Sequence, residues 1–222
     1  MTRLLAILGL LVATAGSGCA VAGIAAEMTR PKLPAAHRLD PVTTLILVED
    51  PNLLLRDPSL TTFIANAIAA DLRANEALFG AAIVDQRQLQ ALKADFGGRF
   101  GSMALDEVGQ RVGAEQVIYV EVLSATFERA PGVFQPQGAV GVKVIDAVAR
   151  QRVFPPVQGT DAMVAAPRGA VVEARLPLDT TSDDDASFVA YLAEQLARAM
   201  ASRASELFYD HRPRQPGERL PG

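Results

Sequence analysis

The sequence has few of the side chains that most often carry chemistry. Its 222 residues include one cysteine, two histidines and no tryptophan, and only 5% of the residues are aromatic. His37 and His211 have no second ligand at the spacing of a zinc site, which argues against a His/Cys metal centre. The scarcity of aromatics disfavours surfaces that stack bases or sugars. We therefore expect no metal and no cofactor.

Local catalytic motifs are also missing. The chain has no G-x-S-x-G elbow, and no phosphate-binding glycine motif follows a predicted strand. It has no basic run, and its formal charge is −4. Nucleic acid is therefore an unlikely partner, because duplex binding requires clustered Lys and Arg. These absences predict a protein that is not an enzyme.

Four polar features have plain structural explanations. Asp183-Asp184-Asp185 precedes a predicted helix, where acids are favourable against the helix dipole. Glu121 lies on an apolar strand, and an edge position or a salt bridge explains it. Tyr209-Asp210-His211 is interpreted as a helix end. The glycine-rich segment 97–101 is interpreted as a loop between two helices.

The only cysteine, Cys19, is the most informative residue because of its position. Arg3 is followed by an uncharged apolar run over residues 4–15, and the small residues 16–18 lead into the cysteine. This is the layout of a bacterial lipoprotein signal peptide, with Cys19 as the lipidated first residue of the mature protein. Removal of residues 1–18 would leave the chain one charge more negative.

Two other interpretations of the N-terminus remain open. Lipoprotein signals usually carry an aliphatic residue three positions before the cysteine, where this chain has Gly16. Ala20-Val21-Ala22 matches an A-x-A cleavage site, which would release the mature chain from the membrane. Residues 4–26 carry no charge and are long enough for an uncleaved transmembrane anchor.

Hydrophobic periodicity predicts a mixed α/β domain with the order β-α-β-α-α-β-β-β-β-α. Strands are expected over residues 43–48, 81–85, 117–123, 139–148, 152–154 and 171–176, with the end of the third running past the sheet. Early β-α-β crossovers give parallel pairing, and later strands add antiparallel pairs. Asp57 or Ser59 is expected to cap the first helix, and Ser102 a later one. Phe188, Leu192, Leu196 and Leu207 mark the buried face of a long C-terminal helix.

The expected organisation has four parts. Residues 1–18 form the signal peptide, and residues 19–41 hold the lipidated cysteine and a flexible, proline-containing tether. Residues 42–212 form one α/β domain. Residues 213–222 form a disordered tail.

The segment Ala114 to Glu121, after a helix that ends at Gly113, resembles the "LGAD-hydrophobic-VE" segment of a family of uncharacterised planctomycete lipoproteins. The Asp50-Pro51 break and residues 144–147 and 207–211 resemble that family too, over most of residues 43–212. The element order is similar to the α/β domains of the curli-secretion lipoprotein and of TolB N-terminal-like envelope proteins. These resemblances imply a fold and an envelope setting, and they supply no catalytic residue.

We therefore expect an envelope lipoprotein, anchored in the membrane and facing the periplasm, whose domain is a non-enzymatic protein-binding or assembly module. Its expected partners are the membrane, through the lipid, and envelope proteins. One alternative is an oligomeric secretion or assembly component like the curli-secretion lipoprotein, with strands in the region 124–176 pairing between copies. The other is an enzyme that acts on envelope material.

Overall fold

The computed structural model describes residues 31–78, 80–156, 167–176, 180–181 and 186–213. Cys19, the expected signal peptide and the acidic segment 183–185 lie outside the described residues, as do residues 214–222. The described residues fall into two compact units. The larger spans residues 35–209. The smaller contains residues 31–34 and 210–213, in which the backbones of Leu33 and His211 pair.

The described residues of the larger unit form four α-helices and six strands. In chain order they are β1 (Thr44–Glu49), α1 (Ser59–Ala74), α2 (Gln86–Phe96), α3 (Leu105–Arg111), β2 (Gln116–Ala130), β3 (Val133–Asp146), β4 (Gln151–Phe154), β5 (Ala170–Arg175), β6 (Thr180–Thr181) and α4 (Ala186–Ser205). Short 3-10 helices cover Gly97–Ser102 and Glu206–Phe208. The mixed α/β class with a long C-terminal helix is confirmed.

All six strands belong to one mixed sheet. β1 pairs in parallel with β2, and β2 pairs antiparallel with β3. The other edge of β3 pairs antiparallel with β4, β5 and β6, which follow one another along its length. The expected combination of an early crossover and later antiparallel strands is therefore present.

Both faces of the sheet carry a hydrophobic core, which explains why residues 45–48 of β1 form an uninterrupted apolar run. Ile46 and Val48 point to a core formed with α1 and α4, and Leu45 and Leu47 point to a second core formed with α2, residues 97–102 and α3. Strand side chains alternate between faces, so one apolar run supplies both cores.

The C-terminal helix packs as predicted. Leu192 and Leu196 are fully buried in the first core, while Phe188 and Leu207 are partly buried against it. Phe188 meets Phe134 of β3 edge to face, with ring centroids 5.2 Å apart. Within the described residues, no helix has the length and hydropathy needed to cross a membrane.

Two predicted strands differ from those observed. Residues 81–85 form only one parallel bridge, between Ile83 and Thr44, because Asp85 already accepts the backbone N–H of Arg87 to begin α2. The end of β2 does not leave the sheet, because β3 starts at Val133 and pairs with β2 as far as Ala130.

The predicted caps differ as well. Ser102 does not cap α3; its hydroxyl donates to the carbonyl of Arg99 within the 3-10 helix, and α3 starts after Ala104. Asp57 does accept a backbone N–H, that of Ser59 at the start of α1.

The segment before β1 is more ordered than a tether. His37 stacks on Phe154 with ring centroids 5.1 Å apart, and its backbone N–H donates to the carbonyl of Leu207. Leu39 is buried. The chain therefore packs on the larger unit from residue 35, within the range in which the sequence predicts a tether.

Candidate binding pocket

A pocket of about 210 Å³ lies beside the C-terminal end of β1 and the N-terminal part of β2, against residues 100–108. Its apolar lining is Leu47, Phe100, Met103, Leu105 and Val108. Its polar lining is Glu49, Tyr119 and Lys143. Leu47, Phe100 and Val108 are almost fully buried, so the polar groups supply most of the surface that a ligand could touch.

Strand register brings the polar groups together. Leu47 of β1 lies opposite Tyr119 of β2, which lies opposite Lys143 of β3. Glu49 follows Leu47 by two residues and so points to the same face of the sheet. Three strands therefore supply neighbouring side chains from positions 47, 119 and 143 of the chain.

Tyr119 and Glu49 form the polar centre of the pocket. The Tyr119 hydroxyl donates to Glu49 Oε2 over 3.0 Å. Burial raises the pKa of the Tyr119 phenol, and the negative charge of Glu49 raises it further. Tyr119 therefore stays protonated across the physiological pH range and acts as a hydrogen-bond donor.

Two lysines lie near this centre, each against an aromatic ring. Lys143 Nζ lies 5.3 Å from the ring centroid of Tyr119, and Lys93 Nζ lies 5.2 Å from that of Phe100. Burial lowers the pKa of Lys93, and the charge of Glu49 partly opposes this effect. Within the described part of the chain, neither ammonium has a carboxylate at salt-bridge distance, so both charges rely on ring faces and solvent.

Glu121 lies beside this group, and the sequence-based explanation of it is wrong. Its strand, β2, is flanked by β1 and β3 and is not an edge, and no salt bridge to Glu121 occurs among the described residues. The carboxylate faces Glu49 on one side and Gly141 on the other. β1 ends at Glu49, and Glu121 is partly exposed to solvent. Its charge also raises the pKa of Tyr119.

The loop after Glu49 is held by one carboxylate. The two oxygens of Asp50 accept the backbone N–H groups of Leu54 and Leu55, each over 2.9 Å. Leu55 is fully buried, whereas Leu53 is 58% exposed and has a φ of 51°. A left-handed leucine is uncommon, and the Asp50 contacts hold the backbone in this strained turn. The Asp50-Pro51 break is therefore a rigid turn beside the pocket.

The other predicted features lie elsewhere. Cys19 and Asp183-Asp184-Asp185 are outside the described residues. Tyr209 lies in the larger unit, where its hydroxyl is 3.4 Å from Ser205 Oγ, which donates to Asp71. His211 lies in the smaller unit, in the backbone pair with Leu33.

The arrangement of the pocket is suited to binding. The pocket offers two hydrogen-bond donors, the Tyr119 phenol and the Lys143 ammonium group, and one acceptor, the Glu49 carboxylate. In the described part of the chain, no group of three or more His, Cys, Asp or Glu side chains is placed to hold a metal ion.

Sequence reasoning missed Glu49, Tyr119 and Lys143 as a group. A signal was present, because each is a polar or amphipathic residue within or at the end of an otherwise apolar predicted strand. Nothing local to those strands indicated that the three positions would be neighbours.

Comparison with known proteins gives partial likenesses of fold. No family model matches this chain, and no curated protein matches it. Lipoprotein GNA1162 from Neisseria meningitidis has a TM-score of 0.43 at 14% identity, covering 73% of this chain and 99% of that one. The PelC dodecamer from Paraburkholderia phytofirmans has a TM-score of 0.39 at 13% identity, covering 84% and 99%. Protein XCC0632 from Xanthomonas campestris has a TM-score of 0.38 at 12% identity, covering 79% and 85%. Likenesses of this size carry no argument about function.

Proposed function

We propose that this chain is a membrane-anchored lipoprotein of the bacterial cell envelope whose α/β domain faces the periplasm and binds other envelope proteins without catalysing a reaction. The observation that supports the binding role is the pocket, which brings together the protonated Tyr119, the Glu49 carboxylate and the Lys143 ammonium. A phenol with a raised pKa is a poor general base at neutral pH, so this group of residues suits recognition better than proton transfer.

The proposed location at the membrane rests on Cys19. A cationic residue, an apolar run and small residues precede this cysteine. A lipid at Cys19 would confine the domain to a membrane surface and raise its effective concentration toward envelope partners. One acyl chain gives only marginal membrane binding, and several give durable attachment. Several chains at Cys19 would therefore keep the domain at the membrane.

Metabolic labelling with radioactive palmitate tests the anchor. We expect label in the wild-type protein and in the control Ser17→Ala, and none in Cys19→Ala, which should also leave the membrane fraction. Equal labelling of all three proteins would contradict the lipoprotein assignment. If Cys19→Ala carries no label and yet stays in the membrane fraction, the result would favour an uncleaved anchor over residues 4–26.

Point substitutions test the non-enzymatic role. Alanine at Glu121, Asp184 or His211 should leave the cellular role intact in each folded variant, because our proposal assigns no chemical step to any of these residues. Loss of a measurable turnover of an envelope substrate in one folded variant would refute the binding-module proposal.

A second candidate function is that of an oligomeric assembly component, and the outer edge of β5 favours it. The backbone N–H of Leu176 donates to the carbonyl of Pro136 on β3, so the backbone groups of Val171, Glu173 and Arg175 point away from β3. Within the described residues no strand pairs with this outer edge, on which Val171 is 56% exposed. The Glu173 carbonyl already accepts from Arg203 Nε over 3.3 Å, so a second copy would have to displace that contact or pair beside it. Exposed strand edges pair readily with other chains.

The mass of the detergent-extracted protein separates the two candidates. A multiple of the chain mass that falls to one copy in Val171→Lys would support the oligomer. A single copy in the wild type would leave the monomeric binding module.

A further inference from the structure

We propose that the pocket binds a small zwitterion, a free amino acid, with its ammonium group on the Glu49 carboxylate and its carboxylate on the Lys143 ammonium. This inference rests on the binding role proposed for the pocket and names the chemical class of a ligand for it.

The surface that a ligand would touch in this pocket is mainly polar. Leu47, Phe100 and Val108 are almost fully buried and offer little free apolar surface. Glu49 and Lys143 are partly exposed and carry charge. An apolar ligand would bury little apolar surface here and would take water away from two charged groups, which is unfavourable. The pocket therefore favours a polar ligand that replaces those water contacts.

The charges of Glu49 and Lys143 lie at one tyrosine side chain. The Tyr119 hydroxyl donates to Glu49 Oε2 over 3.0 Å, and Lys143 Nζ lies 5.3 Å from the Tyr119 ring centroid. In the part of the chain that the structure describes, neither charged group forms a salt bridge. A small molecule beside Tyr119 is therefore within reach of two opposite charges that still lack an ionic partner.

The hydrogen-bonding capacity of both groups matches a zwitterion. Glu49 Oε2 accepts from the Tyr119 hydroxyl, which orients the carboxylate, and among the described residues no donor is bound to Oε1. A primary ammonium group has three N–H donors and suits this free oxygen. The Lys143 ammonium offers its own donors to a ligand carboxylate. Hydrogen bonds between ionised groups are stronger than neutral ones, so both contacts favour a ligand that is charged at both ends.

The balance of charge around the pocket excludes neither sign and favours both together. Glu49 and Glu121 both raise the pKa of Tyr119, and the charge of Glu49 also acts on Lys93, so these groups lie close together. With Lys143, the group holds two carboxylates and two ammonium groups. A ligand with a single charge would be attracted by one pair and repelled by the other. A zwitterion places each of its charges beside the opposite one.

The size of the pocket limits the ligand to a small molecule. Its volume is about 210 Å³. Sites for drug-sized ligands and cofactors span about 300–1,000 Å³. Gly101 contributes only backbone to the lining, and the space where its Cβ would lie is open. The pocket therefore suits an amino acid with a small side chain and is too small for a nucleotide.

Methyl NMR of the full chain in detergent micelles tests this binding mode. The methionine methyl groups are labelled with 13C, and the signal of Met103 is identified with Met103→Leu. Met103 lines the pocket, whereas Met200 is fully buried in the core on the other face of the sheet and reports on folding. The probe is L-alanine. L-alanine amide, which lacks the carboxylate, and N-acetyl-L-alanine, which lacks the ammonium group, are the comparison ligands.

We expect L-alanine to shift the Met103 signal saturably while the Met200 signal stays in place. Each comparison ligand should bind at least about tenfold more weakly, because it loses one hydrogen-bonded ion pair. Glu49→Gln and Lys143→Gln should each weaken the binding of L-alanine by a similar factor. The three ligands are compared on the wild-type protein, so this part of the test does not depend on the folding of a variant.

Glu121→Gln is the matched control for Glu49→Gln. It removes the same charge from the neighbouring strand, at a residue that is not part of the described lining of the pocket. We expect Glu121→Gln to bind L-alanine within about twofold of the wild type, because only a charge without direct contact is lost.

Four results would overturn the proposal. They are no shift at Met103 with L-alanine, equal affinity for L-alanine and either comparison ligand, equal losses in Glu49→Gln and Glu121→Gln, or wild-type affinity in Lys143→Gln with its Met200 signal unchanged. None of these results affects labelling at Cys19 or the mass of the detergent-extracted protein. Failure here is therefore distinguishable from failure of the proposed function.

Discussion

Leu196→Ala is the sharpest test of how the domain is held together. Leu196 lies on α4, is fully buried and belongs to the core between the sheet, α1 and α4. Truncation of a buried leucine costs about 2–5 kcal/mol, because the transfer free energy of the lost methylenes adds to the cost of the cavity. Because Leu196 is fully buried in this core, we expect its truncation to cost about 3 kcal/mol, near the middle of that range.

A loss of this size is large against a typical total stability of about 5–15 kcal/mol. For a domain of this length it should lower the melting temperature by about 6–12 °C. Urea titration followed by circular dichroism provides the measurement, and the midpoint should fall without a change in slope.

Tyr191→Ala is the matched control for Leu196→Ala. Tyr191 lies on the same helix and is 52% exposed, so its truncation should cost much less. The reasoning is refuted if the two variants unfold at the same urea concentration, since that result would mean that the α4 face containing Leu196 is not a core face.

Two further predictions concern a closely packed glycine and a partly buried histidine. Gly138→Ala should destabilise the domain by about 1–3 kcal/mol, because the new Cβ would overlap the Met200 methyl and lie 2.6 Å from the Ser124 carbonyl oxygen. The control is Gly101→Ala, whose Cβ would have open space around it and which should melt within about 2 °C of the wild type. Equal melting temperatures of the two variants would contradict this packing. Burial lowers the pKa of His37 below its usual 6.5, more than Asp40 raises it, so the unfolded chain takes up the proton first and stability should fall as pH falls below about 6.5. His37→Phe should remove that part of the pH dependence in melts between pH 7 and pH 5, and an unchanged dependence would show that His37 does not cause it.

Part of the fold could be predicted because it depends on local periodicity. Residues 45–48 are apolar at every position, which is the pattern of a strand buried on both faces, and β1 has cores on both sides. The spacing of Leu192, Leu196 and Leu207 predicts a helix with one buried face. Leu192 and Leu196 lie on that face of α4, whereas Leu207 lies in the 3-10 helix that follows it. Gly113 predicts a left-handed helix end and has a φ of 72°.

The wrong predictions concern groups that have more than one possible hydrogen-bond partner. Ser102 could cap a helix, but the preceding 3-10 helix uses its hydroxyl. The end of β2 is polar enough to suggest a loop, yet β3 pairs with it along its whole length. Local sequence does not state which of two possible hydrogen-bond partners will be close.

The sequence by itself determined the mixed α/β class, the positions of most elements and the layout around Cys19, because each of these depends on residues close together in the chain. The tertiary structure alone decided the pocket. Leu47, Tyr119 and Lys143 come from three strands that are distant in sequence, and strand register makes them neighbours. Register depends on which strands pair and on where α2 and α3 cover the sheet, and both are outcomes of burying the two cores together.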